Sequence, residues 1–259
     1  MENVSDAKIW RYIDFAKLAS LLISKSLYFA CPSEFDDPYE GFAPKSHMKA
    51  YSEMMQPSVD RIVSIKNQLG AQEPAAEKTL DTALTKLAKD LSTGYRKATL
   101  MFGASCWHIS EYESAAMWKL YSAPGPCIAI ESTIGQLKLS LTTRTDLAID
   151  RVRYMDFDND PIEKGHKHYG LFLKRKSFEH EKELRAIIRL PEEGRGASVE
   201  CNLDTLINRI HVSPLAPPYF KDAVKALCLG RVCGLQKPVL QSKLFNDPDY
   251  GIEINVNPK

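Results

Sequence analysis

Lys174-Arg175-Lys176-Ser177-Phe178-Glu179-His180-Glu181-Lys182-Glu183-Leu184-Arg185-Ala186-Ile187-Ile188-Arg189-Leu190 is the densest run of charge in the chain, and its second half decides the fold. From Glu183 onward the residues alternate. Leu184, Ala186, Ile188 and Leu190 fall on one face and Glu183, Arg185 and Arg189 on the other, broken only by Ile187. That is the period of a half-buried strand. If the strand starts near Glu181, then Glu181, Glu183 and Arg185 share a face at about 7 Å spacing. The plainest reading of such a row is a solvated, salt-bridged strand face.

Working outward, a chain of 259 residues with 44% hydrophobic and 26% charged residues can bury one large core, and no linker forces a split. We therefore expect residues 1–259 to form a single α+β domain. Thirty-four basic residues against thirty-three acidic ones leave a net charge of +1, so the overall field gives no argument for nucleic acid or membrane. Cys31, Cys106, Cys127, Cys201, Cys228 and Cys233 are scattered without a Cys-x-x-Cys and read as buried thiols of a reducing compartment. No run of eighteen apolar residues occurs, and the N-terminus lacks a basic segment followed by an apolar one. The expectation is a soluble cytoplasmic protein without membrane partners.

Upstream, Ile9–Ile13 reads as a strand and Asp14 as the N-cap of a helix ending near Ser24 or Lys25. Leu27–Ala30 is a second strand, followed by the turn-rich Glu34-Phe35-Asp36-Asp37-Pro38-Tyr39-Glu40-Gly41, where Asp36 or Asp37 suits an Asx-turn. Residues 45–97 read as a helical insertion, with Pro57 and Gly70–Pro74 as breaks. Its last piece carries an apolar stripe at Leu80, Ala83, Leu84, Leu87 and Leu91. Thr99–His108 reads as a central strand, and a helix with Ser114 or Glu113 near its start puts Trp118 and Tyr121 on one face. Cys127–Ile130 is a buried strand, with Ser132 a candidate cap for the next helix. Val152–Met155 is a strand, 156–176 loop and helix, and further strands fall at 199–203, 207–212 and 239–242 around a helix near 218–229. Strands and helices mix without a βαβ rhythm. The class is α+β, with mixed, mainly antiparallel sheet and flanking helices.

The common nucleotide, metalloprotease and hydrolase motifs do not occur. Cys106 and His108 share a strand face, but no orienting third group can be assigned to them. His166, Lys167, His168, Lys174, Arg175 and Lys176 form a candidate phosphate surface that nearby acids dilute, and the His-x-His pair lacks further ligands, so no metal set is assigned.

Five segments resemble the family called domain of unknown function 2971, a mostly bacterial family with members linked to phage abortive infection. They are Trp10-Arg11-Tyr12; Leu27-Tyr28-Phe29 with Phe35-Asp36-Asp37-Pro38-Tyr39-Glu40; Cys106-Trp107-His108-Ile109-Ser110 with Met117, Trp118 and Tyr121; Val152-Arg153-Tyr154; and Glu181-Lys182-Glu183-Leu184-Arg185. Asp36 stands where Asn is usual, Phe178 where Trp is common and Trp107 where Phe is common. The layout is more loosely similar to ADP-ribosyltransferases, which implies NAD as substrate and a protein or nucleic-acid target in defence or toxin activity. On that resemblance Glu183, Glu181 and Arg11 are the catalytic candidates, and Arg11, Tyr12, Ser110, Trp118, Tyr121 and Arg185 would bind the cofactor. The chemistry suits these residue types. A carboxylate can hold the ribose as oxocarbenium character develops, Arg11 can fork onto pyrophosphate, and an aromatic ring can stack on nicotinamide. Two other readings compete. One is a metal-dependent nuclease holding Mg²⁺ with Asp36, Asp37, Glu40 and the late glutamates; the other is a non-catalytic ligand- or partner-binding protein.

Overall fold

The computed structural model describes residues 4–42, 44–68, 99–122, 125–160 and 169–246, with isolated positions between 82 and 97. The strands among them are β1 (Lys8–Asp14), β2 (Ser26–Phe29), β3 (Phe102–Ile109), β4 (Cys127–Thr133), β5 (Ala148–Arg151), β6 (Arg153–Met155), β7 (Leu173–Arg175), β8 (Glu183–Arg189), β9 (Ala197–Glu200), β10 (Arg209–Val212) and β11 (Val239–Gln241). Contacts gather the chain into two compact units. The first comprises Met1–Lys25, Ser110–Ser140 and Asn202–Lys259, the second Ser26–Ile109 and Leu141–Cys201. Each is built on mainly antiparallel strand pairing, which is the α+β class expected from the alternating pattern.

In the first unit the strand order is β11-β10-β4-β1. β4 pairs antiparallel with β1 and β10, while β10 and β11 run parallel. Asp14 begins the helix Phe15–Ser24 by accepting the Lys17 N–H at 2.7 Å, and Lys25 ends it in the left-handed region at φ 50°. Ser114 caps Ala115–Tyr121 in the same way, accepting from Met117 N. Ser132 does not cap the helix Ile134–Ser140. It lies within β4 and donates to the Leu206 carbonyl, and the Thr133 hydroxyl accepts from Gln136 N instead. The strand simply runs further than its apolar core. Trp10, Tyr12, Met117, Trp118, Cys127 and Ala129 form one buried cluster.

In the second unit β8 is the middle strand, antiparallel to β3 on one edge and β5 on the other. β2 pairs with β9 and β6 with β7. β8 is not half-buried as its charges suggested: Glu183 through Ile188 are all buried. Ile187 explains why. It sits on the charged face, packed with Ala104 and Leu171 and lined by Phe35, Phe102, Cys106 and Phe172, so that face is covered too. β7 falls in a segment read as loop and helix, because three residues give too short an alternation to register.

Pro57 does not break the insertion. The helix Lys45–Gln68 runs through it. The residues around Pro57 are exposed, so a carbonyl losing its intrahelical donor can turn to water. The stripe from Leu80 to Leu91 lies outside the described residues.

β3 passes close to β2 at Gly103. A Cβ there would lie 3.0 Å from Phe29 Cβ, 3.2 Å from the Phe29 carbonyl oxygen and 2.7 Å from Leu190 Cδ2. Backbone on one side leaves nothing to yield, so Gly103→Ala is expected to destabilise by about 1–3 kcal/mol. Urea unfolding measures it, and a variant as stable as the parent would contradict this packing.

Candidate functional site

The charged face of β8 and the 34–41 loop meet in a buried ionic cluster. Arg185 is 1% exposed and makes two bidentate forks. Its Nε donates to Glu183 Oε1 at 2.7 Å and Nη2 to Oε2 at 3.0 Å. Toward the loop, Nη1 and Nη2 donate to the two Glu40 oxygens at 2.9 and 2.8 Å, and Nη1 also reaches the Leu171 carbonyl at 2.8 Å. Lys174 on β7 lies among three carboxylates, with Nζ 2.6 Å from Glu181, 3.5 Å from Glu183 and 3.6 Å from Glu40. A second acid–arginine pair runs alongside. Arg175 Nη2 donates to Asp37 Oδ1 at 2.7 Å, and its guanidinium lies over the Tyr39 and Phe178 rings.

The loop sequence delivers these acids by local turn chemistry. Asp37 makes the expected Asx-turn, accepting the Tyr39 N–H at 3.0 Å, while its carbonyl accepts from Glu40 N. Gly41 follows at φ +72°, a backbone state that L side chains resist. On β8, the Tyr154 hydroxyl accepts the Glu183 N–H at 2.8 Å and fixes where the strand begins. The strand therefore starts at Glu183, two residues later than the row of three requires. Glu181 ends a 3-10 turn, Lys176–Glu181, and Lys182 turns the chain at φ 41°.

Burial pushes the Glu183 carboxyl up, but the Arg185 guanidinium and Lys174 ammonium beside it outweigh burial and hold it below its ordinary 4.5. Burial likewise pulls Lys174 down, and the charges of Glu183, Glu181 and Glu40 overcome it, keeping Lys174 charged. Among the described residues, three carboxylates thus face two cations, leaving one excess negative charge. Glu181 is the most exposed of the three, its side chain 19% accessible against 6% for Glu183 and 2% for Glu40. It meets Lys174 through Oε2.

The remaining candidates lie in the first unit. Neighbouring positions on a strand point to opposite faces, so Arg11 shares the face of Ile9 and Ile13 while Tyr12 shares that of Trp10. Tyr12 packs edge-on against Trp118 at 5.0 Å and lies 6.0 Å from Tyr121. Arg11 is therefore not brought together with these aromatics. Trp118 is 1% exposed and its ring nitrogen donates to Glu113 at 2.9 Å, so packing occupies the faces a nicotinamide would need. Tyr121 is exposed. The Ser110 carbonyl accepts from Trp10 Nε1 and its hydroxyl from Tyr112 N. Cys106 and His108 form no dyad. The Cys106 thiol bonds to Glu183, and His108 Nδ1 meets the Glu181 carbonyl.

No family model, curated protein or solved structure matches the chain. The functional reading therefore rests on residues and geometry. Among the described residues, no group of three or more His, Cys, Asp or Glu side chains is arranged to hold a metal ion, and no helix is long and apolar enough to cross a membrane. None of the six cysteines forms a disulfide. His166, Lys167 and His168 of the candidate phosphate surface lie outside the described residues, and Lys174 and Arg175 are committed to carboxylates.

The sequence reading missed Lys174 as the bridge and Glu40 as the partner of Arg185. Glu40 is 145 residues from Arg185. The available signal was Ile187, an apolar residue on a charged face, which requires that face to be covered.

Proposed function

We propose that the chain is an NAD-using ADP-ribosyltransferase-like enzyme, in bacterial defence or toxin activity as its five resembling segments imply, with Glu181 as the catalytic carboxylate. The observation that carries this reading is the position of Glu181 at the accessible end of an ionic cluster with one excess negative charge. Lys174 pins one of its oxygens, which orients the carboxylate. In the transfer, the bond from ribose C1′ to the nicotinamide nitrogen breaks, nicotinamide leaves with the electron pair, and a target nucleophile bonds to C1′. Positive charge gathers on the ribose in between, and a fixed carboxylate stabilises it. Glu183 and Arg185 are positioning residues on this reading, since their polar atoms are spent on each other and on Glu40.

The test uses radiolabelled NAD with a cell lysate or nucleic acid as acceptor. Glu181→Gln is expected to lower transfer by about 100-fold with an unchanged unfolding midpoint. Glu183→Gln is expected to lower both together. No transfer and no NAD cleavage by the parent chain would defeat the proposal, and full activity in Glu181→Gln would remove Glu181 from it.

A further inference from the structure

In the first unit, one buried imidazole has a carboxylate on each ring nitrogen. His211 lies on β10 between Ala129 of β4 and Leu240 of β11. Its Nε2 is 2.9 Å from Glu131 Oε2 and its Nδ1 is 3.5 Å from Glu113 Oε1. From β1 the Trp10 ring packs edge-on at 5.0 Å. Arg209, on the same strand, reaches the other Glu131 oxygen at 3.4 Å. Glu113 also accepts from Trp118 Nε1 at 2.9 Å and bonds to Ser242, just beyond β11. Among the described residues, the ionised groups around the ring are thus two carboxylates and one guanidinium. They balance only when the imidazole carries its own positive charge.

We propose that Glu131, His211 and Glu113 form a pH-sensitive clasp that holds the 110–114 segment while the imidazole carries both protons and releases Glu113 when it loses one. A charged ring donates an N–H to each carboxylate; a neutral ring has one N–H, so one carboxylate must face a nitrogen lone pair. Glu113 is the one that gives way. Its contact is longer, and its side chain is 20% exposed against 7% for Glu131, so water can take over its solvation. The departing proton passes to solvent.

Burial pulls the His211 pKa down, and the hydrogen bonds and charges of Glu113 and Glu131 outweigh it, leaving the group above its ordinary 6.5. The sign follows from linkage. A raised folded value means that the clasp is complete below 6.5 and is lost as the pH rises through the folded value. His108 provides an internal contrast. Burial lowers it, with Lys182 and His180 adding to the effect against the Glu181 carbonyl.

NMR titration of the histidine rings in the full chain, with amide exchange followed over the same range, tests the clasp. The expected result is a His211 midpoint above 6.5 and above that of His108, and protection of the 111–114 amides, with the intrinsic rise of exchange with pH divided out, falling beyond it. Glu113→Gln, at the more exposed end, is expected to lower the His211 midpoint and abolish the exchange step. A His211 midpoint at or below 6.5, constant protection through it, or an unmoved midpoint in Glu113→Gln would each overturn the proposal.

Discussion

Arg185→Met is expected to destabilise the protein by about 3–5 kcal/mol, because it leaves two carboxylates buried without the guanidinium that forks onto both. The cost lies in the orphaned Glu40 and Glu183, with Lys174 the one cation among the described residues left to serve them. Arg185→Lys keeps the charge and loses the paired geometry, so it should fall between parent and Met variant. The pH dependence gives a second readout of opposite sign. In the parent the Glu183 pKa is depressed, so its contribution is complete above 4.5 and is lost as the pH falls through the folded value. In Arg185→Met, the burial that raises the Glu183 carboxyl is no longer outweighed by the guanidinium, so acidification should recover stability. Urea unfolding at two or three pH values measures both effects. If the Met variant matches the parent at neutral pH, the cluster is not closed as described. Replacing Glu40, Glu183 and Arg185 together with apolar side chains should restore much of the loss, since the desolvation cost is removed with the charges.

Trp118→Ala is the second large effect, at about 3–5 kcal/mol. The ring is among the largest fully buried side chains, wedged among Tyr12, Met117 and Cys127, and its edge-on contact with Tyr12 adds to the loss. It also supplies a donor to Glu113. Trp118→Phe retains most of the volume and removes that donor, so it should cost about 1 kcal/mol and leave the His211 titration in place. A Trp118→Ala variant that unfolds within about 1 kcal/mol of the parent would mean that the cluster collapses to fill the space or that the ring is not in the core. Either result would return Trp118 to the set of candidate ligand contacts.

Local signals in the sequence translated well into structure. Asp14 and Ser114 cap the helices that their positions imply, and Asp37 turns the loop before Pro38, because these events are settled by side-chain oxygens bonding backbone two or three residues away. The period of β8 was equally legible, since alternation is a property of the strand itself. Which face water would see was not. Glu183 and Arg185 read as solvated charge because Glu40 is 145 residues away and Lys174, though in the same charge-dense stretch, meets Glu183 from a separate strand, and no local pattern records either pairing. Pro57 marks the converse. A strong local rule yields where an exposed helix lets water take the freed carbonyl. The ionic cluster followed the same division: the charge-dense stretch supplies Glu183 and Arg185, while only the geometry shows that their oxygens and nitrogens are engaged with each other and that Glu181 meets Lys174.

The pairing of the 34–41 loop with β8 also sets a timetable for biosynthesis. Glu40 leaves the ribosome 145 residues ahead of Arg185, and at about 5–20 residues per second that is a wait of roughly 7–30 s. During that interval the acidic loop has no guanidinium to neutralise it and stays in water, so the second unit closes its charged interior only after β8 has been translated.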